Sequence, residues 1–243
     1  MTTQLLMVNT DHALLEVDHL QIYTGRRLSD VFVLQELGLN NPPQTVRRES
    51  QGTVSTIFFF ENAYLELISI EDEIAFRQYS AQTKMNLLER SQWQQTGASP
   101  FGIGLRAKIN YRFHLSTSID STFKTEWGDS ETKINFSAEN LEAIQEPICF
   151  TIPHQIALTN WLDNKNEYHQ ELMTHPLGIK KLTGVKIKVN THLALTNAVS
   201  LLEDQGIIAI ERGKSPLLEL TFDENAQNQV VDARPWLPIL LRY

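Results

Sequence analysis

The stretch LEVDHLQIYT, residues 15–24, alternates with period two, which commits it to a strand rather than a helix. On that spacing Leu15, Val17, His19, Gln21 and Tyr23 share one face, and Glu16, Asp18, Leu20, Ile22 and Thr24 the other. An imidazole sits mid-strand, on a face that turns polar toward Tyr23. Whatever the chain folds into must supply partners for it.

The segments that follow extend the pattern. In RRLSDVFVLQELGL, Leu28, Val31, Phe32, Gln35 and Leu39 fall near helical spacing, with an end around Gly38, and NNPP then breaks the chain. QTVRRES, GTVSTIFFFEN and AYLELISIED read as strands, so the order is β-α-β-β-β. Residues 72–97 read as polar helix, and PFGIGLRAK restarts strand character. Between 108 and 147 the signals are weak, with short alternation around STFKTEW and TKINFSA and a helical turn at NLEAI. PICFTI is a strand, and IALTNWLDNKNEYHQELMTHPLG a polar, partly helical connection. TGVKIKVN is a strand, LALTNAVSLLEDQG a helix ending at Gly206, and IIAIERG and LLELTFDE are strands. AYLELISIED and PLLELTFDEN share L-E-L at what reads as the same place in the order, pointing to a degenerate internal repeat.

Composition narrows the function classes. With 21 basic against 29 acidic residues the net charge is −8, and no basic block occurs, which argues against a dedicated nucleic-acid binder. Pairs such as Arg26-Arg27, Arg47-Arg48 and Lys180-Lys181 read as solvated surface charge. No apolar run approaches the roughly 20 residues of a membrane span, and the start, MTTQLLMVNTDHALLEV, does not read as a signal peptide. Cys149, the single cysteine, excludes an internal disulfide and reads as a buried structural thiol between Ile148 and Phe150. A cytoplasmic location is expected. Gly102-Ile103-Gly104 lacks the rest of a dinucleotide fingerprint and no P-loop occurs, so no nucleotide cofactor is indicated. G-x-S-x-G and H-E-x-x-H are absent too.

The runs VDHLQIYT and GTVSTIFFFENAYLELISIED, with HPLG shortly before LTGVKIKV, resemble the glyoxalase-like domain proteins of the vicinal oxygen chelate superfamily. The resemblance spans roughly residues 15–222. It implies an α+β fold of repeated β-α-β-β-β modules, their strands curled into a half-open barrel around a cavity. Residues 1–14 would be an N-terminal extension. Residues 15–243 would hold tandem modules at about 15–75, 100–155 and 180–222 and end in a short C-terminal tail. In metal-using relatives a first-strand His and a fourth-strand Glu supply two ligands, positions that map onto His19 and Glu66. The resemblance thus implies a divalent metal (Zn, Fe, Mn, Co or Ni), a small-molecule ligand, and pairing of modules within a chain or in a homodimer.

The pleat bears on this independently. In AYLELISI, Tyr64, Glu66 and Ile68 share a face, and a carboxylate in so apolar a strand is costly to bury without a metal or basic partner. Against this, Glu66 facing solvent and His19 as a hydrogen-bonded core histidine satisfy the same residues. The second half of the ligand set is missing, since Gly102 aligns with His19 and Phe150 or Thr151 with Glu66. Candidates for a third ligand are Glu219, His154 and His175, the last also readable as a turn residue before Pro176. Gly102, Gly104 and Arg106 share a face, so Arg106 either clamps a substrate carboxylate or phosphate or is a surface arginine. Tyr23 and Tyr64 join it as candidate substrate-binding residues. Trp93, Trp161 and Trp236 line a pocket or fill core and interface space.

The expectation is a metal-assisted enzyme acting on a small oxygen-bearing substrate, as a lyase, isomerase or dioxygenase, with the metal stabilising a developing oxyanion. The alternative is a metal-free protein that binds a small molecule in the same cavity.

Overall fold

The computed structural model describes residues 13–25, 27–40, 45–108, 122–123, 125–127, 133–163 and 165–243. Residues 1–12 of the expected N-terminal extension, most of the NNPP break and much of 108–132 lie outside them. The first module runs β1 (Leu15–Thr24), α1 (Arg27–Glu36), β2 (Thr45–Arg48), β3 (Thr53–Phe59) and β4 (Tyr64–Ile70). Three short helices follow, α2 (Glu73–Thr83), α3 (Leu87–Ser91) and α4 (Trp93–Thr96). Asp72 starts α2 by accepting hydrogen bonds from the backbone N–H of Ile74 and Ala75. The second module holds β5 (Phe101–Ala107), β6 (Thr125–Trp127), β7 (Ile134–Phe136), α5 (Ala138–Glu142) and β8 (Ile148–Thr151). Short 3₁₀ turns and α6 (Glu167–Met173) lead to β9 (Leu182–Val189), α7 (Asn197–Asp204), β10 (Ala209–Arg212), β11 (Leu217–Phe222), β12 (Val230–Asp232) and β13 (Ile239–Arg242).

The two modules build one eight-stranded sheet in the order β2-β3-β4-β1-β5-β8-β7-β6. Its centre has a near-twofold pattern: β1 runs parallel to β4, antiparallel to β5, and β5 parallel to β8. This curled half-barrel is the fold class that the resemblance implies. A second sheet, β10-β9-β11-β13-β12, repeats the central pattern, with β9 parallel to β10, antiparallel to β11, and β11 parallel to β13.

That pairing corrects two expectations. Leu65-Glu66-Leu67 lies on a strand parallel to the first strand of its module, whereas Leu218-Glu219-Leu220 lies on β11, antiparallel to β9. The L-E-L match therefore joins positions that are not equivalent. It arose because alternation reports which face a residue occupies and is blind to strand direction. The expected C-terminal tail contributes β12 and β13 to the second sheet.

The apolar side of the second sheet packs on the convex side of the first. Leu20, Ile22, Leu65, Leu67, Ile103 and Leu105 join Ile187, Leu218, Leu220 and Ile239 in a single core, with Leu34 of α1 and Leu202 of α7. The β3–β4 turn is clamped to β9, where Asn62 both donates to Leu182 O and accepts from Leu182 N, at 2.8 and 2.9 Å. The convex side is thus fully used in packing, and the polar faces of β1 and β4 are left to the concave side.

Candidate functional site

The antiparallel register of β1 and β5 pairs Val17 with Leu105 and then His19 with Gly104, so Asp18 is the extra residue of a β-bulge. A bulge turns successive side chains toward the same face. Leu15 and Val17 therefore join the convex core, while Glu16, Asp18, His19, Gln21 and Tyr23 all serve the concave side. The simple alternation placed Leu15 and Val17 with His19, and Asp18 opposite it. The bulge overturns that assignment, and no glycine marked it in the sequence.

The bulge brings Asp18 Oδ1 within 2.9 Å of His19 Nδ1. Asp18 Oδ2 accepts from Arg106 Nη1 at 2.9 Å and from Thr159 Oγ1 at 2.6 Å. A carboxylate only accepts, so in the neutral imidazole the proton sits on Nδ1 and Nε2 carries the lone pair. Tyr64 stacks on the imidazole at 4.5 Å between ring centres, and Phe150 approaches edge-on at 5.4 Å.

Gln21 sits beside Glu66 across the β1–β4 pairing. Its amide nitrogen donates to Glu66 Oε2 at 2.9 Å and faces His19 Nε2 at 3.4 Å, while its oxygen accepts from Tyr23 OH at 3.2 Å. Glu66 Oε1 lies 2.8 Å from Arg48 Nη1, which donates to Ser55 Oγ at 2.6 Å. The N–H directions leave Oε1 paired by charge rather than by an aligned hydrogen bond. Glu66 is 1% exposed and His19 4%, so both are almost fully desolvated, while Gln21 and Arg48 are partly buried. Burial pushes the Glu66 carboxyl up, and the Arg48 charge beside it, with smaller contributions, more than offsets this, so its pKa lies below the usual range. Burial pushes the hydroxyls of Tyr23 and Tyr64 well above theirs, so both stay neutral.

Two glycines make room for this row. A Cβ at Gly104 would stand 2.2 Å from His19 Cε1, and one at Gly102 would stand 2.6 Å from Gln21 Oε1. The space that these glycines open is taken by His19 and Gln21. Arg106 itself is engaged at every nitrogen, by Glu16 at 2.8 Å, Asp18 at 2.9 Å and the carbonyl of Asn62 at 3.3 Å. It holds Asp18 in place.

The segment after β8 packs against the same side of the sheet. Leu172 and Met173 of α6 pack on Ile57, Phe59 and Tyr64, and Thr159 ties the same segment to Asp18. The tryptophans stay outside the row: Trp161 is half exposed against Phe59 and His169, Trp236 is exposed, and Trp93 is partly buried. Cys149 is fully buried and its thiol is pushed well up by burial, as a structural thiol would be.

His19 and Glu66 thus share one face and meet through Gln21, but the proposed third ligands stand elsewhere. Glu219 is in the second sheet, ion-paired with Lys186 and Arg242 at 3.0 Å each. His154 contacts Asn160 at 2.9 Å in a 3₁₀ turn. His175 accepts from Asn40 N at 2.9 Å and donates from Nε2 to Phe59 O at 2.8 Å, a neutral ring saturated by backbone. Among the described residues no group of three or more His, Cys, Asp or Glu side chains could hold a metal ion. The donor set does not fit the divalent cation that the resemblance implies. Its place between Nε2 and Oε2 is taken by an amide NH₂, and Glu66 already has a cation in Arg48.

Asp18, Gln21 and Arg48 are the residues of the site that the sequence reading missed. A period-two reading of TVRR, which sets Val46 and Arg48 on one face, held the signal for Arg48. Among the described residues no helix is long and apolar enough to cross a membrane.

No family model matches the chain, and no curated protein does. Among solved structures it is similar to a hypothetical protein from Staphylococcus aureus, at 13% identity and a TM-score of 0.55, over 94% of this chain and 98% of that one. A partial likeness to methylmalonyl-CoA epimerase from Mycobacterium tuberculosis, at 12% identity and a TM-score of 0.36, covers 56% of this chain and 86% of that one, too loosely to carry an argument. What the full-length likeness shows is the fold alone: an architecture of the same extent recurs in another protein.

Proposed function

We propose that the concave side of the half-barrel binds a small oxygen-bearing molecule over the row His19–Gln21–Glu66–Arg48. The observation that carries this reading is the row itself. Four polar side chains from β1, β2 and β4 are gathered on one face between apolar clusters, two of them almost completely desolvated. Burying them costs several kcal/mol per charge before pairing, and packing alone would be served by leucines. Perturbed, desolvated groups in a concavity are where ligand chemistry concentrates.

Chemistry on that ligand would run through His19. With Nδ1 donating to Asp18, the Nε2 lone pair is the proton acceptor nearest the centre of the row, held only by a long contact from Gln21. The Arg48 guanidinium, one-third exposed, is the group through which a ligand oxygen would first meet the row.

A thermal-shift titration of the full chain with oxalate, lactate, catechol and a 1,2-diketone tests the reading. A probe that raises Tm in the parent should lose its effect in His19→Ala and Glu66→Gln and keep it in Arg234→Ala, a surface control. No shift with any probe, or shifts that persist in both site variants, would contradict the assignment.

A further inference from the structure

Building on that ligand-site reading, we propose that the Gln21 carboxamide and the Arg48 guanidinium take the electrostatic place of a divalent cation between His19 and Glu66. The site is then neutralised in advance by the chain's own donors, and ligand oxygens are met by N–H groups rather than by coordination.

The geometry sets the amide in the bridging position. One NH₂ group lies 2.9 Å from Glu66 Oε2 and 3.4 Å from His19 Nε2, so its two protons answer the two lone pairs that would otherwise converge on a metal. Its orientation is fixed by the Glu66 carboxylate, which can only accept, and Tyr23 OH completes the arrangement by donating to Gln21 Oε1 at 3.2 Å. A flipped amide would set its oxygen against the Glu66 carboxylate, an arrangement that only an intervening cation would make favourable. Gly102 lets the amide lie flat against β5, since any Cβ there would meet Gln21 Oε1 at 2.6 Å and its Cβ at 3.1 Å.

Charge bookkeeping points the same way. Glu66 faces Arg48, and Asp18 shares Arg106 with the partly exposed Glu16, so each of the two buried carboxylates already lies against a guanidinium. A divalent ion added here would bring two further charges into a largely desolvated place where the buried carboxylates already have cationic partners. Gly102, Gly104 and Phe150, across β5 and β8, supply no ligand from the second module.

Metal analysis of the purified full chain, after incubation with Zn, Mn, Fe, Co and Ni salts and desalting, tests the inference without reference to activity. The parent should retain far less than one equivalent of each metal. The double variant Gln21→Glu with Arg48→Met, which removes both substitutes, should gain about one equivalent of Zn or Co, the latter with a visible absorption band. Stoichiometric metal in the parent that disappears in the isosteric Glu66→Gln would overturn the inference. So would a double variant that retains the parent's circular dichroism and stays metal-free. If the double variant does not fold, the parent's metal content decides alone. A metal-bearing parent that still shows a His19-dependent ligand shift would sink this inference and spare the ligand site; a metal-free parent with no ligand shift would do the reverse.

Discussion

Replacing Gly104 by alanine adds one methyl group at the point where β5 passes beneath His19. The glycine has an ordinary backbone conformation, so alanine brings no torsional strain and the whole effect is steric. The new Cβ would lie 2.2 Å from His19 Cε1, 2.5 Å from Nδ1 and 2.6 Å from Nε2, distances that force the ring to move. Little space receives it, because Tyr64 stacks on the ring at 4.5 Å and Phe150 stands at 5.4 Å. Overpacking of a full interior costs about 1–3 kcal/mol, and displacing the ring from Asp18 weakens a charge-assisted hydrogen bond worth about 1.5–3 kcal/mol. Partial relief through small backbone shifts leaves an expected loss of about 2–4 kcal/mol, or roughly 4–16 °C in Tm for a chain of this size. Urea denaturation of Gly104→Ala, His19→Ala and the double variant provides the assay. If the ring is the obstacle, the methyl group should cost under ~1 kcal/mol once His19 is gone, giving a coupling of at least ~1 kcal/mol. A fully additive cycle, or a Gly104→Ala variant as stable as the parent, would refute the close packing of His19 on β5.

Other outcomes follow from the same contacts. Arg48→Met leaves Glu66 buried without its cation and should destabilise by about 3 kcal/mol at neutral pH, the low end for a broken buried pair because Arg48 is partly exposed. Glu66 has a lowered pKa, so its stabilising contribution is full above the ordinary carboxylate value of 4.5 and is lost as pH falls through the lower native one. Burial raises the carboxyl once Arg48 is gone, so the gap between Arg48→Met and the parent should narrow as pH falls from the variant's higher native pKa to the parent's lower one, and a gap constant with pH would count against the pairing. Arg106→Met removes the guanidinium from Asp18, which is 0% exposed and keeps only His19 and Thr159, and should cost about 3 kcal/mol in denaturant midpoint analysis; a near-neutral result would show that Asp18 does not depend on it. The buried Cys149 thiol should resist Ellman's reagent in the native protein and react only at the rate of unfolding.

The sequence carried the site's outline through the pleat. His19, Gln21 and Tyr23 on β1, and Tyr64 and Glu66 on β4, occupy the faces that period-two reading assigns them, because two-residue alternation is a local property of the strand. Asp18 was out of reach for the complementary reason. A bulge is set by how two strands meet, and β5 lies more than 80 residues downstream in sequence. Arg48 looked like half of a surface pair, since nothing local shows that β2 curls far enough for its last residue to reach Glu66. Gly102 and Gly104 were legible as sharing a face with Arg106, but what fills the space above them comes from the neighbouring strand. The second sheet was misjudged where direction matters, because the same alternation serves parallel and antiparallel strands alike.

The hydrogen bond between Asp18 and His19 orients everything proposed for the site, and side-chain ¹⁵N NMR of the imidazole reads it directly. The account predicts that neutral His19 carries its proton on Nδ1, and that Asp18→Asn, whose amide can also donate, erodes this preference while the fold is retained. A native imidazole carrying its proton on Nε2 instead would contradict it, because the lone pair would then face Asp18 and none would be left for a ligand.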